Sequence, residues 1–472
     1  MAGVEQKRQQ FKRDTAPFEK ELAFMTPIQS RAVLVSQAGA CNDLDERELG
    51  FQKLKVSIHE KLVDSLDLSM LADIRQEVLE SEVQAIAGDI CKEHAPGVSD
   101  DELQRLLDEI HSEMFGLGPI EVLMEDDTVS DILVNGPYEV YVERFGQLER
   151  SEVIFADSDH LVRIIQRVVS RVGRRIDEVS PMVDARLADG SRINAVLPPL
   201  AVDHPTLSIR RFGKQPLRIS DLVESGSLSP NMAEFLIAAV DARISVLISG
   251  GTGAGKTTFL NALTEYIPSD ERLITIEDSA ELRLSHKHVI RMETRPENTE
   301  GAGEVTQRDL VRNSLRMRPD RIIIGEVRGG EALDMLQAMN TGHEGSLTTI
   351  HANDSRDSLS RLEMMVAMAG FELPIPVVRQ YMATGITLVV HLARLKGGVR
   401  RAMKISEVVG VENDEILLED VFGFEQTGVD ETSTARGQFY ATGYRPACLD
   451  RMRASGVRLG DETFDQQCLA SL

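Results

Sequence analysis

Tryptophan is absent from the sequence, and all aromatic residues together make up only 4 % of its 472 residues. The four cysteines, at positions 41, 91, 448 and 468, are scattered and form no C-x-x-C pair. This distribution indicates free thiols in a reducing compartment and argues against a disulfide framework. The chain also lacks any apolar run of about eighteen residues, so no membrane-spanning helix is predicted. The first residues lack the apolar centre of a signal peptide, and we therefore expect a cytoplasmic protein.

Positive charge is also in deficit. Lys and Arg number 52 against 76 Asp and Glu, which gives a formal net charge of −24. An overall field of this sign favours solubility and disfavours a chain that coats nucleic acid or anionic lipid, although local basic patches are compatible with it. Direct binding to nucleic acid is therefore not expected.

The order of apolar and polar residues predicts several domains, in keeping with the length of the chain. Residues 1–45 are polar without sustained periodicity and are expected to form a mobile tail. Residues 46–115 are expected to form a small helical domain. Apolar residues recur at every fourth position from Leu54, and a capping-box pattern, Ser99 to Glu102, precedes a further helix.

Strand and turn signals replace this helical pattern after Phe115. Residues 116–212 combine strand-like segments with an amphipathic helix, and we expect an α+β domain there. Residues 213–229 are predicted to be a linker with a short helix. From residue 230 to residue 472 the pattern alternates between helix and strand, which is typical of a parallel α/β sheet.

One motif identifies the chemistry of this last domain. Ser245–Ser249 is a short apolar strand, and the segment GGTGAGKT, residues 250–257, follows it directly and precedes a helix. The segment fits G-x-x-x-x-G-K-[ST], the P-loop pattern, in the strand and helix context that the pattern requires. Its glycines allow backbone N–H groups to converge on phosphate oxygens, and the helix N-terminus adds partial positive charge.

We expect this loop to bind ATP and Mg²⁺. Lys256 should reach the β- and γ-phosphates, and the hydroxyl of Thr257 should ligate the metal. The residues of this segment that are predicted to contact the nucleotide are Gly250, Gly251, Thr252, Gly253, Ala254, Gly255, Lys256, Thr257 and Thr258.

Two further strands run into carboxylates. Leu273–Ile276 precedes Glu277, and Arg321–Ile324 precedes Gly325-Glu326. Acids at the C-terminal ends of parallel strands lie beside the phosphate site in this type of sheet. Glu326 could hold Mg²⁺ through water, and Glu277 could orient or deprotonate the attacking water. The alternative interpretation is that both are ordinary strand-end acids that face solvent and take no part in catalysis. The usual Walker B strand, the second motif of P-loop proteins, ends in Asp. Here the strand ends in Gly-Glu, so the acid lies one residue further along the chain than that Asp would.

With these residues, the chain resembles the motor ATPases of type II and type IV secretion and of type IV pili. The resemblance rests on the P-loop, the Asp-box segment Ile274–Asp278, the Gly-Glu strand, and Thr341–Asn353, which resembles a His box. It is closer to the CpaF-type motor of tight-adherence (Tad) pili, through the segments Phe115–Ile120, Asp131–Pro137, Gly173–Asp177, Asp189–Asn194, Ser208–Phe212 and Arg308–Asn353. The likeness covers roughly residue 100 to the C-terminus.

The resemblance implies a RecA-like P-loop core preceded by a PAS-like α+β domain and a helical domain. It implies a homo-oligomeric ring of six subunits that works on a platform protein at the inner membrane. It also implies that His343 and His351 of TGHEGSLTTIHAN lie near the nucleotide and sense its γ-phosphate. Their spacing matches no compact metal motif, and the small residues between them allow close backbone approach to a ligand. The alternative is that both histidines only make hydrogen bonds within a loop and a strand and do not sense the nucleotide.

Arginines of the α+β domain cap the nucleotide in the ATPases that this chain resembles. By motif position, Arg192 and Arg210 are the candidates that stabilise transition-state charge, and Arg211 is a further candidate nucleotide contact. Surface salt bridges are the alternative. A second arginine series, Arg163 to Arg171, recurs every fourth residue and is expected to face solvent, or else an acidic neighbouring subunit.

The predicted function is an ATP-hydrolysing motor that powers pilus assembly, in extension, retraction or both. An ATPase of type IV secretion or conjugation that moves protein or DNA is an alternative within the same fold, and the acidic charge disfavours its DNA-binding form. A nucleotide-gated scaffold with negligible hydrolysis is a third hypothesis. The presence of both Glu277 and Glu326 argues against the scaffold.

Overall fold

A computed structural model of the protein describes residues 46–65, 76–94, 99–211, 216–295, 297 and 302–471. The predicted mobile tail, residues 1–45, lies outside the described residues. The chain divides into two compact units, Met1–Gly213 and Lys214–Leu472. None of the described helices is both long enough and apolar enough to cross a membrane.

The described part of the first unit begins with helices. Their bounds are α1 (Glu46–Ser65), α2 (Gln76–His94) and α3 (Asp100–Phe115). Ile58 and Leu62 of α1 are buried in one apolar cluster with residues of α2 and α3, because the fourfold spacing places them on one face. The capping box of α3 is confirmed: the Ser99 hydroxyl accepts from the N–H of Glu102, and the Glu102 carboxylate accepts from the N–H of Ser99.

An antiparallel sheet forms the rest of the first unit. Its elements are α4 (Glu121–Glu125), β1 (Val129–Val134), β2 (Val140–Arg144), β3 (Gln147–Arg150), α5 (Ser158–Arg171), β4 (Met182–Arg186), β5 (Arg192–Val196) and β6 (Thr206–Arg210). The described strands lie in the order β3-β2-β1-β6-β5-β4. The apolar face of α5, with Ile164 and Val168, packs on Ile132, Ile193 and Ile209 of the sheet. The sequence did not predict β3 and β4.

Buried charges connect α1, α3 and α5. The side chain of Lys55 is fully buried, with Nζ 3.0 Å from Glu109 Oε2 and 3.1 Å from Glu113 Oε1. His160 Nε2 lies 2.8 Å from the same Glu113 oxygen. Burial raises the pKa of the Glu113 carboxyl, but the contacts with His160 and with the Lys55 ammonium outweigh it and hold this pKa far below its usual range.

The arginine series of α5 only partly forms the predicted solvated face: Arg163 and Arg171 are exposed, and Arg167 is half-buried. Arg171 donates to the backbone carbonyl of Gly116 at 3.0 Å, beyond the end of α3. Two guanidinium nitrogens of Arg167 are buried. The series therefore contacts the neighbouring helix end as well as solvent, because helix C-termini expose carbonyl groups that accept from cations.

The second unit is built on one large sheet. Its strands are β7 (Val246–Gly250), β8 (Leu273–Glu277), β9 (Val289–Glu293), β10 (Arg321–Val327), β11 (Leu347–His351), β12 (Leu388–Arg394), β13 (Arg400–Glu412), β14 (Glu415–Val429), β15 (Ala435–Ala441) and β16 (Gln467–Ser471). They lie in the order β16-β15-β14-β13-β12-β7-β11-β10-β8-β9. Pairing is parallel from β9 to β12 and antiparallel from β12 to β16.

Helices cover both faces of the inner parallel strands, which is why β7 and β8 are buried along their whole length and β11 up to its last residue. The helices are α6 (Ile219–Glu224), α7 (Pro230–Asp241), α8 (Lys256–Thr264), α9 (Gln307–Ser314), α10 (Glu331–Asn340), α11 (Ser355–Ala367), α12 (Ile375–Gly385) and α13 (Leu449–Ala454). Ile248 of β7 packs with α7 and α8, whereas Leu247 packs with α10 and α12 on the other face. The predicted α/β class is confirmed. Ile219 and Leu222, within the predicted linker, are buried in the core of this unit.

Candidate active site

The P-loop lies at the sheet edge where the parallel strands end. It connects β7, which lies between β11 and β12, to the first residue of α8, Lys256. Gly253 has a φ of +71° and Gly255 a φ of +91°. Residues with a side chain rarely adopt this left-handed conformation, so the glycines at these two positions give the loop its curl.

Lys256 folds back over this loop. Its side chain is buried, and Nζ donates to the carbonyl oxygens of Gly250 at 3.0 Å and Gly251 at 3.1 Å. Nζ also lies 3.2 Å from Nδ1 of His351. The predicted phosphate-binding lysine therefore connects the start of the P-loop to the end of β11. Thr257 and Thr258 follow it in the first turn of α8.

Glu277 lies at the end of β8 and is only 3 % exposed. Its Oε2 accepts from the backbone N–H groups of Glu281 at 2.8 Å and Leu282 at 2.9 Å. Its Oε1 is buried and has no hydrogen-bond partner among the described residues. Burial raises the pKa of Glu277, against the opposing effect of the two backbone donors. One oxygen is thus fixed, and the other is available to accept from a ligand or water.

Gly325 explains part of the unusual Gly-Glu ending. A β-carbon added at this position would lie 2.9 Å from Cγ of Glu277, closer than real side chains approach. The glycine therefore makes room for the Glu277 side chain against the neighbouring strand β10.

We expect Gly325→Ala to lower kcat for ATP hydrolysis by at least about tenfold, because displacement of a reacting group by a fraction of an ångström misaligns it. The affinity for ATP should change little, since the P-loop is not altered. Steady-state phosphate release and calorimetric titration would measure the two quantities. Gly428→Ala is a matched control, because a β-carbon there meets nothing within 4 Å. A fall in affinity without a fall in kcat would contradict the role given to Gly325.

Glu326 is turned towards the site by an irregularity in β10. Ile324 pairs with Thr348 and Val327 pairs with Ile350, so β10 has one more residue than β11 between these pairs. Such a bulge redirects a side chain. Oε1 of Glu326 lies 3.0 Å from Nε2 of His351, and Oε2 accepts from Nη2 of Arg328 at 2.9 Å.

His351 lies between the P-loop lysine and this acid. Its Nδ1 faces Lys256 and its Nε2 faces Glu326. Burial lowers the pKa of His351; Glu326 opposes this effect, and the cations of Lys256 and Arg328 reinforce it. A neutral imidazole can accept from the lysine, whose Nζ also lies 3.5 Å from Nε2. The contact of Nε2 with Oε1 of Glu326 is close, but it does not have the geometry of a hydrogen bond, because Oε1 has no hydrogen-bond partner among the described residues. The structure therefore brings together Lys256, His351 and Glu326, which lie far apart in the sequence.

His343 does not join this group. It precedes β11, whereas His351 ends it, and a strand advances about 3.3 Å per residue. Near His343, the N–H of Gly345 donates to the hydroxyl of Ser245. Ser245 comes just before β7, so this contact lies at the ends of the strands opposite to the P-loop. The two histidines were predicted to share the nucleotide site, and the structure separates them by the length of β11.

Arg192 and Arg210 belong to the first unit. They pair in register on β5 and β6, and Arg186 of β4 pairs with Arg192 on its other side. Their strand neighbours Ile193 and Ile209 are buried. Because side chains alternate between the two faces of a strand, the arginines form a row on the face opposite the core.

Arg211 points away from this row. Its guanidinium donates to the backbone carbonyl of Met124 at 2.6 Å, of Val129 at 2.8 Å, and of Asp126. The side chain is 9 % exposed. These bonds fix the connection between α4 and β1, so in this structure Arg211 has a structural role instead of the predicted nucleotide contact.

The residues present fit a nucleotide with a divalent metal. The left-handed glycines, the buried lysine and the unpartnered Oε1 of Glu277 all converge on the same strand ends. Within the described ranges, no group of three or more His, Cys, Asp or Glu side chains could hold a metal ion. Thr257 and Glu326 would therefore hold Mg²⁺ only together with phosphate oxygens, which is how proteins commonly bind this ion.

Sequence reasoning missed three arginines at this edge. Arg328 donates to Asp278 at 3.0 Å as well as to Glu326. Arg400 Nε donates to the carbonyl of Gly253 at 3.0 Å, and the Arg394 guanidinium lies beside the same glycine. Only Arg328 had a sequence signal, since it lies two residues after Glu326, just after the end of the same strand.

Comparison with known proteins places these residues in one family. The family model for type II/IV secretion system proteins matches residues 113–434, which include the P-loop, both acids and His351. The chain belongs to the type II/IV secretion system protein family. This secretion-system protein is 32 % identical over 309 residues to the conjugal transfer protein TrbB of Rhizobium radiobacter, covering 65 % of this chain and 91 % of TrbB.

The same family member is 34 % identical over 308 residues to the type IV secretion system protein VirB11 of Brucella suis biovar 1, covering 59 % of this chain and 84 % of VirB11. The crystal structure of the VirB11 ATPase of Brucella suis in complex with sulphate covers 61 % of this chain and 95 % of that chain, with 30 % identity and a TM-score of 0.34. With its complete P-loop and its two acids, this secretion-system protein is an ATP-hydrolysing enzyme.

Proposed function

We propose that this secretion-system ATPase is the CpaF-type motor of a Tad pilus. It works as a ring of six subunits in the cytoplasm, at the inner face of the inner membrane, and acts on a platform protein there. The site geometry supports the catalytic part of this proposal, through the contact of His351 with both Lys256 and Glu326. The motifs shared with CpaF-type motors support the assignment of this motor to a pilus.

The chain's own residues divide the work of hydrolysis. Backbone N–H groups of residues 250–257 and the Lys256 ammonium bind the phosphates. Thr257 and, through water, Glu326 would hold Mg²⁺, which would supply positive charge to offset that of the phosphate oxygens. Oε1 of Glu277 accepts the proton of the attacking water, because Oε2 is already occupied by two backbone donors. Arg192 and Arg210 remain our candidates for the arginine that stabilises transition-state charge.

His351 connects the phosphate site to the surface. When a γ-phosphate draws Nζ of Lys256, His351 loses one partner and its ring is left with Glu326. Glu326 in turn holds Arg328, whose side chain is 58 % exposed and is also bound to Asp278. This chain of contacts gives a route by which hydrolysis alters the surface of the second unit and drives movement of the first unit against it.

A second function is favoured by the relatives. TrbB is a conjugal transfer protein and VirB11 a type IV secretion system protein, and both align over most of their length. Export of protein or DNA through a type IV secretion system therefore remains the competing proposal for this chain.

Deletion of the gene, followed by complementation with the wild type or with Lys256→Ala, distinguishes the two functions. We expect the wild type alone to restore surface pili, scored by electron microscopy, and plasmid transfer to be the same in all strains. Restored plasmid transfer without a change in pili would favour the conjugation function. Light scattering of the purified chain, with a non-hydrolysable ATP analogue, should give the mass of six subunits.

A further inference from the structure

Two arginines border the P-loop on the side away from the acids. β12 ends at Arg394, β13 begins at Arg400, and these two residues pair directly across the hairpin. β12 is also the parallel neighbour of β7, with Leu392 opposite Gly250. The hairpin therefore projects from the sheet beside the phosphate-binding loop.

Both side chains contact the two left-handed glycines of the loop. Arg400 Nε donates to the carbonyl of Gly253 at 3.0 Å, and a β-carbon added at Gly255 would lie 3.2 Å from its Cδ. A β-carbon added at Gly253 would lie 3.4 Å from Nη1 of Arg394. The aliphatic part of Arg400 thus lies along the loop, and the Arg394 guanidinium lies at its outer turn.

The strand order sets the direction of a bound nucleotide. His351, Glu326 and Glu277 end strands β11, β10 and β8, which all lie on one side of β7. Hydrolysis occurs at the terminal phosphate, so that phosphate must point towards these acids. The hairpin of β12 and β13 lies on the other side of β7. A nucleotide held by the P-loop therefore extends its α-phosphate and nucleoside towards Arg394 and Arg400.

We propose that Arg394 binds the α-phosphate of the nucleotide and that Arg400 is a positioning residue that holds the Gly253 carbonyl and so the curl of the loop. The inference rests on the proposed binding of ATP at the P-loop. A guanidinium is suited to this role, because it stays charged and donates to phosphate oxygens in pairs. ATP and ADP share the α-phosphate, so Arg394 stabilises both nucleotides equally.

The experiment compares Arg394→Ala with Lys396→Ala, which removes an exposed cation from the turn of the same hairpin. Calorimetry would give Kd for Mg·ADP and for a non-hydrolysable Mg·ATP analogue. We expect Arg394→Ala to raise both values by the same factor, about tenfold, as for the loss of a charged hydrogen bond. KM should rise and kcat should stay within about twofold, and Lys396→Ala should match the wild type.

Each other result overturns the assignment. A rise in Kd for the ATP analogue alone would place Arg394 at the γ-phosphate, and unchanged Kd values would remove it from the binding site. Failure of the wild type to bind either nucleotide would instead refute ATP binding at the P-loop. Arg400→Ala should change both KM and kcat, because the loop itself loosens; a lower thermal midpoint with unchanged KM and kcat would leave Arg400 a purely structural residue.

Discussion

Lys256→Ala is expected to abolish ATP turnover, with a fall in kcat of at least about a hundredfold. The lysine provides the charge that meets the terminal phosphates, and its ammonium also holds the carbonyls of Gly250 and Gly251. Alanine removes both effects, so the affinity for ATP should fall as well. Phosphate release at saturating Mg·ATP is the measurement.

The control for this variant is Lys396→Ala, which removes an exposed lysine of the same unit. It should hydrolyse ATP at the wild-type rate. Thermal unfolding of both variants without nucleotide would show that the fold is retained. If Lys256→Ala hydrolysed ATP as fast as the wild type, the P-loop would not be the catalytic site, and the proposed role of His351 would fail with it.

Glu277→Gln is expected to lower kcat by about a hundred- to ten-thousandfold, the range of a lost general base. Glutamine has the same shape and can still accept from the N–H groups of Glu281 and Leu282 through its amide oxygen. ATP binding should therefore be retained, which separates this variant from Lys256→Ala. Single-turnover hydrolysis and calorimetric affinity would measure the two effects.

Glu293→Gln is the matched control. Glu293 ends β9 and pairs in register with Glu277, but its side chain is exposed. Its replacement should leave kcat unchanged. Equal activity in the wild type and in Glu277→Gln would mean that another group is the base, or that hydrolysis is incidental and the protein is the nucleotide-gated scaffold considered above.

The activity should also depend on pH through Glu277. Burial raises the pKa of this carboxyl above the value of about 4.3 for a free glutamate. Below its pKa the carboxyl carries a proton and cannot accept one, so kcat/KM should fall on the acid side at a higher pH than for an exposed glutamate. The residual activity of Glu277→Gln should lack this limb.

The sequence was sufficient to predict those parts of the site that are contiguous. Loop curvature, helix start and lysine all occur within residues 250–257, and their effect depends on local backbone geometry. The positions of Glu277 and Glu326 near the ends of their strands could be predicted, because each acid follows an apolar run. The capping box at Ser99 is likewise a local pattern, and it is present.

The parts that were missed depend on strand pairing. Arg400 contacts Gly253, which lies 147 residues earlier in the chain. His343 and His351 lie in one short sequence segment, but the five-residue strand β11 runs between them. An extended strand separates its two ends more widely than a turn of the same length, so the two histidines do not meet. Strands β13 to β15 mix apolar with polar and Gly residues. Many of their side chains are exposed, so these strands do not form the continuous apolar runs by which the parallel strands were recognised.

The bulge in β10 separates the part of the strand that packs in the core from the part that places Glu326. Arg321 to Ile324 pair with β8 without interruption, and the extra residue comes only afterwards. Substitutions among the three isoleucines can therefore adjust packing without rotating the carboxylate of Glu326.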